Sequence, residues 1–250
     1  MGGRAGNAVS VANKESRKAL LDFSQFEVLT FDCYGTLIDW ETGILRAFRK
    51  VLQRHGVELN DNELLEAYAW AESQAESGDF MPYRQVLEQV VCEIGKKLGF
   101  DATAEEQRSL PESVKTWQPF PDTVAALKRL HQRYKLSIIS NIDDDLFADT
   151  AKLLDVPFDF VTTALEVRSY KPSLNNFYRA IEKMKISNDS ILHVAQSLHH
   201  DITPARSLGI HSIWVNRRQG KPGEGATVGS SAKPDLEVPD LKTLAELARC

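Results

Sequence analysis

The chain has 250 residues, 42% hydrophobic and 26% charged, with a formal net charge of −5. That length can bury a full core as one large domain, or as one domain carrying an insertion. The acidic balance and the lack of a long basic run argue against a nucleic-acid surface and against an anionic-membrane patch. Cys33, Cys92 and Cys250 are odd in number and widely scattered, with neither zinc-site spacing nor the density of a disulfide scaffold, so they read as reduced thiols. The opening MGGRAGNAVSVANKESRKALLD holds no apolar stretch of signal-peptide length, and no run is apolar enough to span a bilayer. The expectation is a cytoplasmic protein with a flexible segment over 1–20.

In chain order, EVLTF is the first of five short β-branched runs that each suit a strand buried on both faces of a parallel sheet. The interval 41–118 then holds amphipathic helices and no convincing strand. NELLEAYAWAESQAES is one, and PYRQVLEQVVCEIGKKLG is another, with Pro82 placed for a helix start and Gly99 for a stop. WQPFPD breaks the helical pattern before TVAALKRLHQRY resumes it. The runs KLSIIS, FDFVTTA, SILHVAQ and HSIWV follow, separated by DDDLFADTAKLLD, SLNNFYRAIEKMK and DITPARSLG, lengths suited to right-handed crossovers. RRQGKPGEGATVGSSAKPD reads as a mobile surface loop before a last short strand and helix. The expected organisation is an α/β core over 21–40 and 119–250, with 41–118 as a helical insertion.

In an open parallel sheet ligands bind beyond the carboxyl ends of the strands, so the residues just past each run belong together. The first run delivers Asp32, Tyr34 and Thr36, and the second Ser140 and Asn141; Arg168 and Lys171 follow the third, and Gln196, Ser197 and Asp201 the fourth. A carboxylate at the end of a buried strand loses hydration unless it is paired, so Asp32 is either a structural cap or a reacting group. A lone strand-end Asp is commonly a turn residue. The ordered set of carboxylate, small hydrogen-bonding groups, lysine and second carboxylate favours the reacting group.

DCYGTLID, SIISN, YKP and HVAQSLHHD resemble the four successive motifs of the haloacid dehalogenase superfamily, from about Phe26 to Trp214. The resemblance implies a Rossmann-like parallel-sheet core with the first strand central, an inserted α-helical cap, and a nucleophilic aspartate at Asp32. It places Ser140 and Asn141 at the second motif, Lys171 at the third and Asp201 at the fourth.

Phosphatases of that superfamily carry Asp two residues after the nucleophile and an acidic residue at the head of the fourth motif. Here those positions are Tyr34 and Gln196. Hard Mg²⁺ prefers anionic oxygen, so a magnesium-dependent small-molecule phosphatase is the weaker alternative, followed by a degenerate member that only binds a ligand. DCYGTL instead resembles the 2-haloacid dehalogenase branch, which implies hydrolysis without a metal or other cofactor. Halide is a weak base and needs no proton as it leaves, so a second aspartate at position 34 has no task.

On this reading Asp32 attacks the α-carbon of a short 2-haloalkanoic acid, and water cleaves the resulting ester to a 2-hydroxy acid. The resemblance assigns Ser140 and Lys171 to the substrate carboxylate and Asn141 to the departing halide. Asp201 positions Lys171 and activates water, and Tyr34, Thr36 and Ser197 complete the substrate contacts. The family's cap arginine position falls on Glu63. Arg84, near the helix start at Pro82 where free N–H groups favour an anion, is the chosen substitute, with Arg46 and Arg49 next. Phe177 stands at the family's tyrosine and Leu198 at its fourth-motif asparagine. Tyr68, Trp70, Phe80 and Tyr83 are either pocket wall or helix core, and His199 and His200 read as solvated. The expected partner is a small anionic substrate, with no nucleic acid and no membrane, and a homodimer is an allowed assembly.

Overall fold

A computed structural model describes residues 21–250; the expected flexible segment 1–20 lies outside the described residues. The chain runs β1 (Val28–Phe31), α1 (Trp40–Arg54), α2 (Asp61–Glu76), α3 (Tyr83–Leu98), α4 (Ala104–Ser113), α5 (Thr123–Leu130), β2 (Lys135–Ser140) and α6 (Asp144–Leu154). It continues through β3 (Phe160–Thr163), α7 (Ala164–Val167), α8 (Leu174–Met184), β4 (Ile191–Ala195), α9 (Thr203–Ser207), β5 (His211–Val215), β6 (Leu236–Val238) and α10 (Leu241–Leu247).

All six strands are parallel, in the order β3-β2-β1-β4-β5-β6. β1 and β4 are buried along their whole length, which explains why their sequences read as continuous apolar runs rather than alternating ones. In register, Phe31 stands beside Ile138 on β2 and Val194 on β4. The carboxyl ends of three neighbouring strands therefore finish at one level, and the loops that follow them share one edge.

Between β1 and α5 the described chain contains only helices and short turns. α2 and α4 carry their own capping boxes, Asn60 with Glu63 and Thr103 with Glu106. Glu63, the family's arginine position, is thereby spent on its own helix start. α3 begins at Pro82 with no side-chain cap of its own and stops at Gly99, whose φ of 86° is the left-handed turn that favours glycine. Its first amides are satisfied from the sheet side: Asp143, in the loop after β2, accepts Tyr83 N–H at 2.8 Å and Arg84 N–H at 2.9 Å. The return to the sheet is fixed by Trp117, which packs on Gly43 of α1 so closely that an added Cβ would meet the indole at 2.4 Å.

The segment 217–235, expected to be a surface loop, is anchored at two points. Arg217 donates to the Thr36 carbonyl at 2.9 Å and pairs with Asp122, and Arg218 pairs with Glu41 at 2.6 Å, both with nearly buried side chains. Ala226 and Thr227 are also buried, and Thr227 Oγ1 donates to Gln196 Oε1 at 3.1 Å. The glycines and prolines let the chain return to the site, a purpose that composition cannot distinguish from exposure. Among the described residues no helix is long and apolar enough to cross a membrane.

Candidate active site

Asp32 leaves β1 with its side chain almost fully buried, and the surroundings supply what an ionised carboxylate needs. Thr36 donates its hydroxyl to Oδ2 at 2.7 Å, and Lys171 donates to Oδ1 at 2.9 Å. Thr36 is itself fixed by Gln196, whose main-chain N–H reaches its hydroxyl at 2.8 Å. It serves the carboxylate from beneath and does not line the cavity.

Lys171 is 1% exposed and uses all three ammonium protons: on Asp32, on Asp201 Oδ1 at 2.6 Å, and on the Ile139 carbonyl at 2.8 Å. Burial works against its charge, but Asp201 and Asp32 outweigh that and hold its pKa above the usual lysine value. Asp201 also feels burial, yet Lys171 and His193 hold its carboxyl below the usual range. Asp32 goes the other way. Burial dominates and raises its carboxyl, with Asp201 adding to the rise, so Lys171 favours Asp201 and leaves Asp32 the more basic of the two.

Asn141 lies at the cavity, but its amide clamps the lysine backbone: Oδ1 accepts Lys171 N–H at 2.7 Å and Nδ2 donates to the Lys171 carbonyl at 3.1 Å. One N–H of that amide remains for a ligand. Ser140 is buried at the cavity, and its hydroxyl has no protein partner among the described residues. Ser197 lines the same space while accepting the His200 main-chain N–H at 3.0 Å. The phenol of Tyr34 meets Thr150 Oγ1 at 2.7 Å, and burial pushes its pKa well up, so it offers no acid at this site.

These groups surround a cavity of about 40 Å³ closed by Trp40, Glu72, Glu76 and Tyr83 from the inserted helices and by Thr227 from the long loop. Arg84 is not among them. Its guanidinium pairs with Asp145 at 2.6 Å across a largely exposed gap, and the anion at its helix start is Asp143. The expectation that Arg84 faces a halide is corrected on that ground: the protein supplies the anion itself. Tyr83 lines the cavity and Tyr68 packs behind it, edge-on to Trp40, while Trp70 is exposed and Phe80 packs at a tilt against Tyr170. His200, expected to be solvated, also lines the cavity, and burial pushes its imidazole down to about 4, so it is neutral.

Two further features of the site lie outside the sequence-based expectations. His193, a lone histidine inside the buried run ILHVA, bridges Thr30 Oγ1 at 2.8 Å and Asp201 Oδ1 at 3.0 Å; a polar residue in a doubly buried strand was the available signal. Glu72 and Glu76 gave no signal, because acidic residues on an amphipathic helix read as its solvated face.

A family model described as haloacid dehalogenase-like hydrolase matches residues 29–215. The chain belongs to that family. Its relatives include (S)-2-haloacid dehalogenase H-109 of Pseudomonas putida, 28% identical over 88% of this chain and 96% of that protein. Haloacetate dehalogenase H-2 of Moraxella sp. (strain B) is 26% identical over 89% and 98%. The crystal structure of the defluorinating L-2-haloacid dehalogenase Rha0230 shares the fold at a TM-score of 0.75, with 22% identity over 90% of this chain and 96% of that one. Asp32, just past the end of β1, falls inside the matched span.

Proposed function

We propose that the chain hydrolyses carbon–halogen bonds of short 2-haloalkanoic acids to 2-hydroxy acids, through an ester on Asp32 and without a metal. The observation that carries this reading is the environment of the leaving group. Two residues after Asp32 stands a phenol turned to Thr150 rather than a carboxylate, so nothing there would protonate an oxygen as it departs. Halide needs no such proton.

The donor set is also poorly matched to Mg²⁺. Asp32 and Asp201 both bind Lys171, the third position is the neutral amide of Gln196, and no group of three metal-ligating side chains occurs among the described residues. The relatives named as dehalogenases support the same reading.

In the first step an Asp32 oxygen bonds to the α-carbon and the halide leaves with the electron pair. Thr36 and Lys171 hold the attacking carboxylate, and Ser140 and the free Asn141 N–H are the donors available to the substrate carboxylate. Esterification removes the charge of Asp32, so Lys171 then pairs with Asp201 alone. Asp201 Oδ1 carries the lysine and His193, which leaves Oδ2 at the cavity to hold a water; as the water oxygen bonds to the ester carbonyl carbon its proton passes to Oδ2, the bond from that carbon to the alkoxide oxygen breaks, and the alkoxide takes the proton, freeing the 2-hydroxy acid and the Asp32 carboxyl, which returns its remaining proton to solvent. The inserted helices act as the lid that excludes bulk water. Halide release from 2-chloro- and 2-bromopropionate, measured in EDTA and again with added Mg²⁺, tests the reading. Release that persists in EDTA supports it; silence in EDTA with recovery in Mg²⁺ overturns it.

A further inference from the structure

Thr30 on β1 and His193 on β4 are register partners, and both side chains are sealed from solvent. The hydrogens between them can be assigned by elimination. The carboxylate of Asp201, paired with Lys171, only accepts, so the imidazole proton sits on Nε2, 3.0 Å from Asp201 Oδ1. Nδ1 then offers a lone pair, and the Thr30 hydroxyl, 2.8 Å away and with no other partner among the described residues, donates to it. A second proton on Nδ1 would leave that hydroxyl hydrogen buried without an acceptor. Phe177 of α8 packs edge-on to the ring, with centroids 5.1 Å apart, and steadies its plane. We propose that His193 is a positioning residue for hydrolysis of the Asp32 ester: a neutral Nε2–H donor, fixed by Thr30, that holds Asp201 turned so that Oδ2 meets the attacking water. This assignment rests on the halide reading above.

The need for such a group arises in the second half of the reaction. In the resting site the Lys171 ammonium is held from three directions, by Asp32, by Asp201 and by the Ile139 carbonyl. Esterification takes the Asp32 charge away and loosens that hold. An ammonium on a four-carbon stem is a point charge that serves either oxygen of a carboxylate, so Lys171 alone does not decide how Asp201 is turned. His193 does decide it, because its N–H comes from a strand buried along its whole length and approaches Oδ1 from one fixed direction. Oδ1 stays occupied and Oδ2 stays at the cavity, where it takes the proton of the water and passes it to the alkoxide. The imidazole itself gives and receives no proton.

His193→Phe keeps a ring in the strand and removes the donor. In rapid-quench reactions with 2-bromopropionate, the first equivalent of bromide per site should appear near the wild-type rate, whereas ester hydrolysis should slow about 10- to 100-fold, the worth of a hydrogen bond to a charged group. Protein mass and peptide mapping should then show the acid accumulated on Asp32. His193→Gln returns an N–H near the Nε2 position and should restore most of the hydrolysis rate. Thr30→Val, a nearly isosteric change, frees the imidazole and should slow hydrolysis in the same direction by a smaller factor. ¹⁵N spectra of the wild type need no substrate: the histidine signals absent from His193→Gln should show Nε2 protonated and Nδ1 bare. A purely structural role would slow both chemical steps alike. That result, hydrolysis at the wild-type rate in His193→Phe and Thr30→Val, or a bare Nε2 overturns the proposal. If the wild type releases no halide from any 2-haloacid, the dehalogenase reading falls and the hydrolytic role with it, whereas halide release by the wild type with unchanged hydrolysis in the variants removes His193 alone.

Discussion

The carboxylate of Asp143 accepts the main-chain N–H of Arg84 at 2.9 Å, tying the start of α3 to the loop after β2. Asp143→Ala removes a cap that α3 does not possess by itself and should cost about 1 kcal/mol of stability, read as a lower melting temperature, with a raised KM as the lid loosens. Arg84→Ala removes only a solvent-exposed pair with Asp145, worth about 0–1 kcal/mol, and should leave chloro- and bromo-substrate turnover alike. A selective loss with the chloro-substrate would return Arg84 to the halide site.

Asp32→Asn is nearly isosteric with the wild type and a far weaker nucleophile, so turnover should vanish while the circular dichroism spectrum and melting temperature hold. In a single turnover in ¹⁸O-water, wild-type Asp32 should take up label before product does. Label found only in product would eliminate the ester.

Lys171→Ala leaves Asp32 and Asp201 buried without their shared cation. The kcat/KM should fall by about 10²–10³, the loss typical of one electrostatic group at a reacting centre. Near-normal kcat/KM would remove Lys171 from the chemistry.

Asp201 is held below the usual carboxylate range, so the unfolded chain binds its proton first and the folded state is favoured above the unfolded value. That contribution is present at neutral pH and disappears as pH falls below about 4 and through the lower folded value. Urea titrations across that range should show a shallower loss of stability in Asp201→Asn than in the wild type. Parallel slopes would mean that Asp201 does not set the acid response.

The five strands, the crossover helices and the set Asp32, Ser140, Lys171 and Asp201 were legible because each depends on local signals: buried β-branched runs and the residues just after them. The halves of the site contributed by the inserted helices were not. Glu72 becomes a cavity group only because α2 brings it to the same cavity as Asp32 and Lys171, and Tyr83 only because Asp143, distant in sequence, fixes the start of α3. Arg84 was misplaced by a sound rule applied to an incomplete picture: a helix start does attract an anion, and the core already held one. Thr227 was hidden by its neighbours, since a glycine-rich stretch that folds back onto Gln196 has the same composition as one that does not.

One lysine faces two carboxylates at this centre, and the protein as a whole carries a net charge of −5. A haloacid therefore approaches against the long-range field rather than along it. Dissolved salt screens that repulsion, over a Debye length of about 8 Å at physiological ionic strength. Added inert electrolyte should accordingly speed capture of the substrate anion, the reverse of the slowing seen where a cationic funnel draws a ligand in. The same field would speed the exit of the halide and hydroxy-acid products, so slow capture and fast clearance share one origin in how Lys171 is divided.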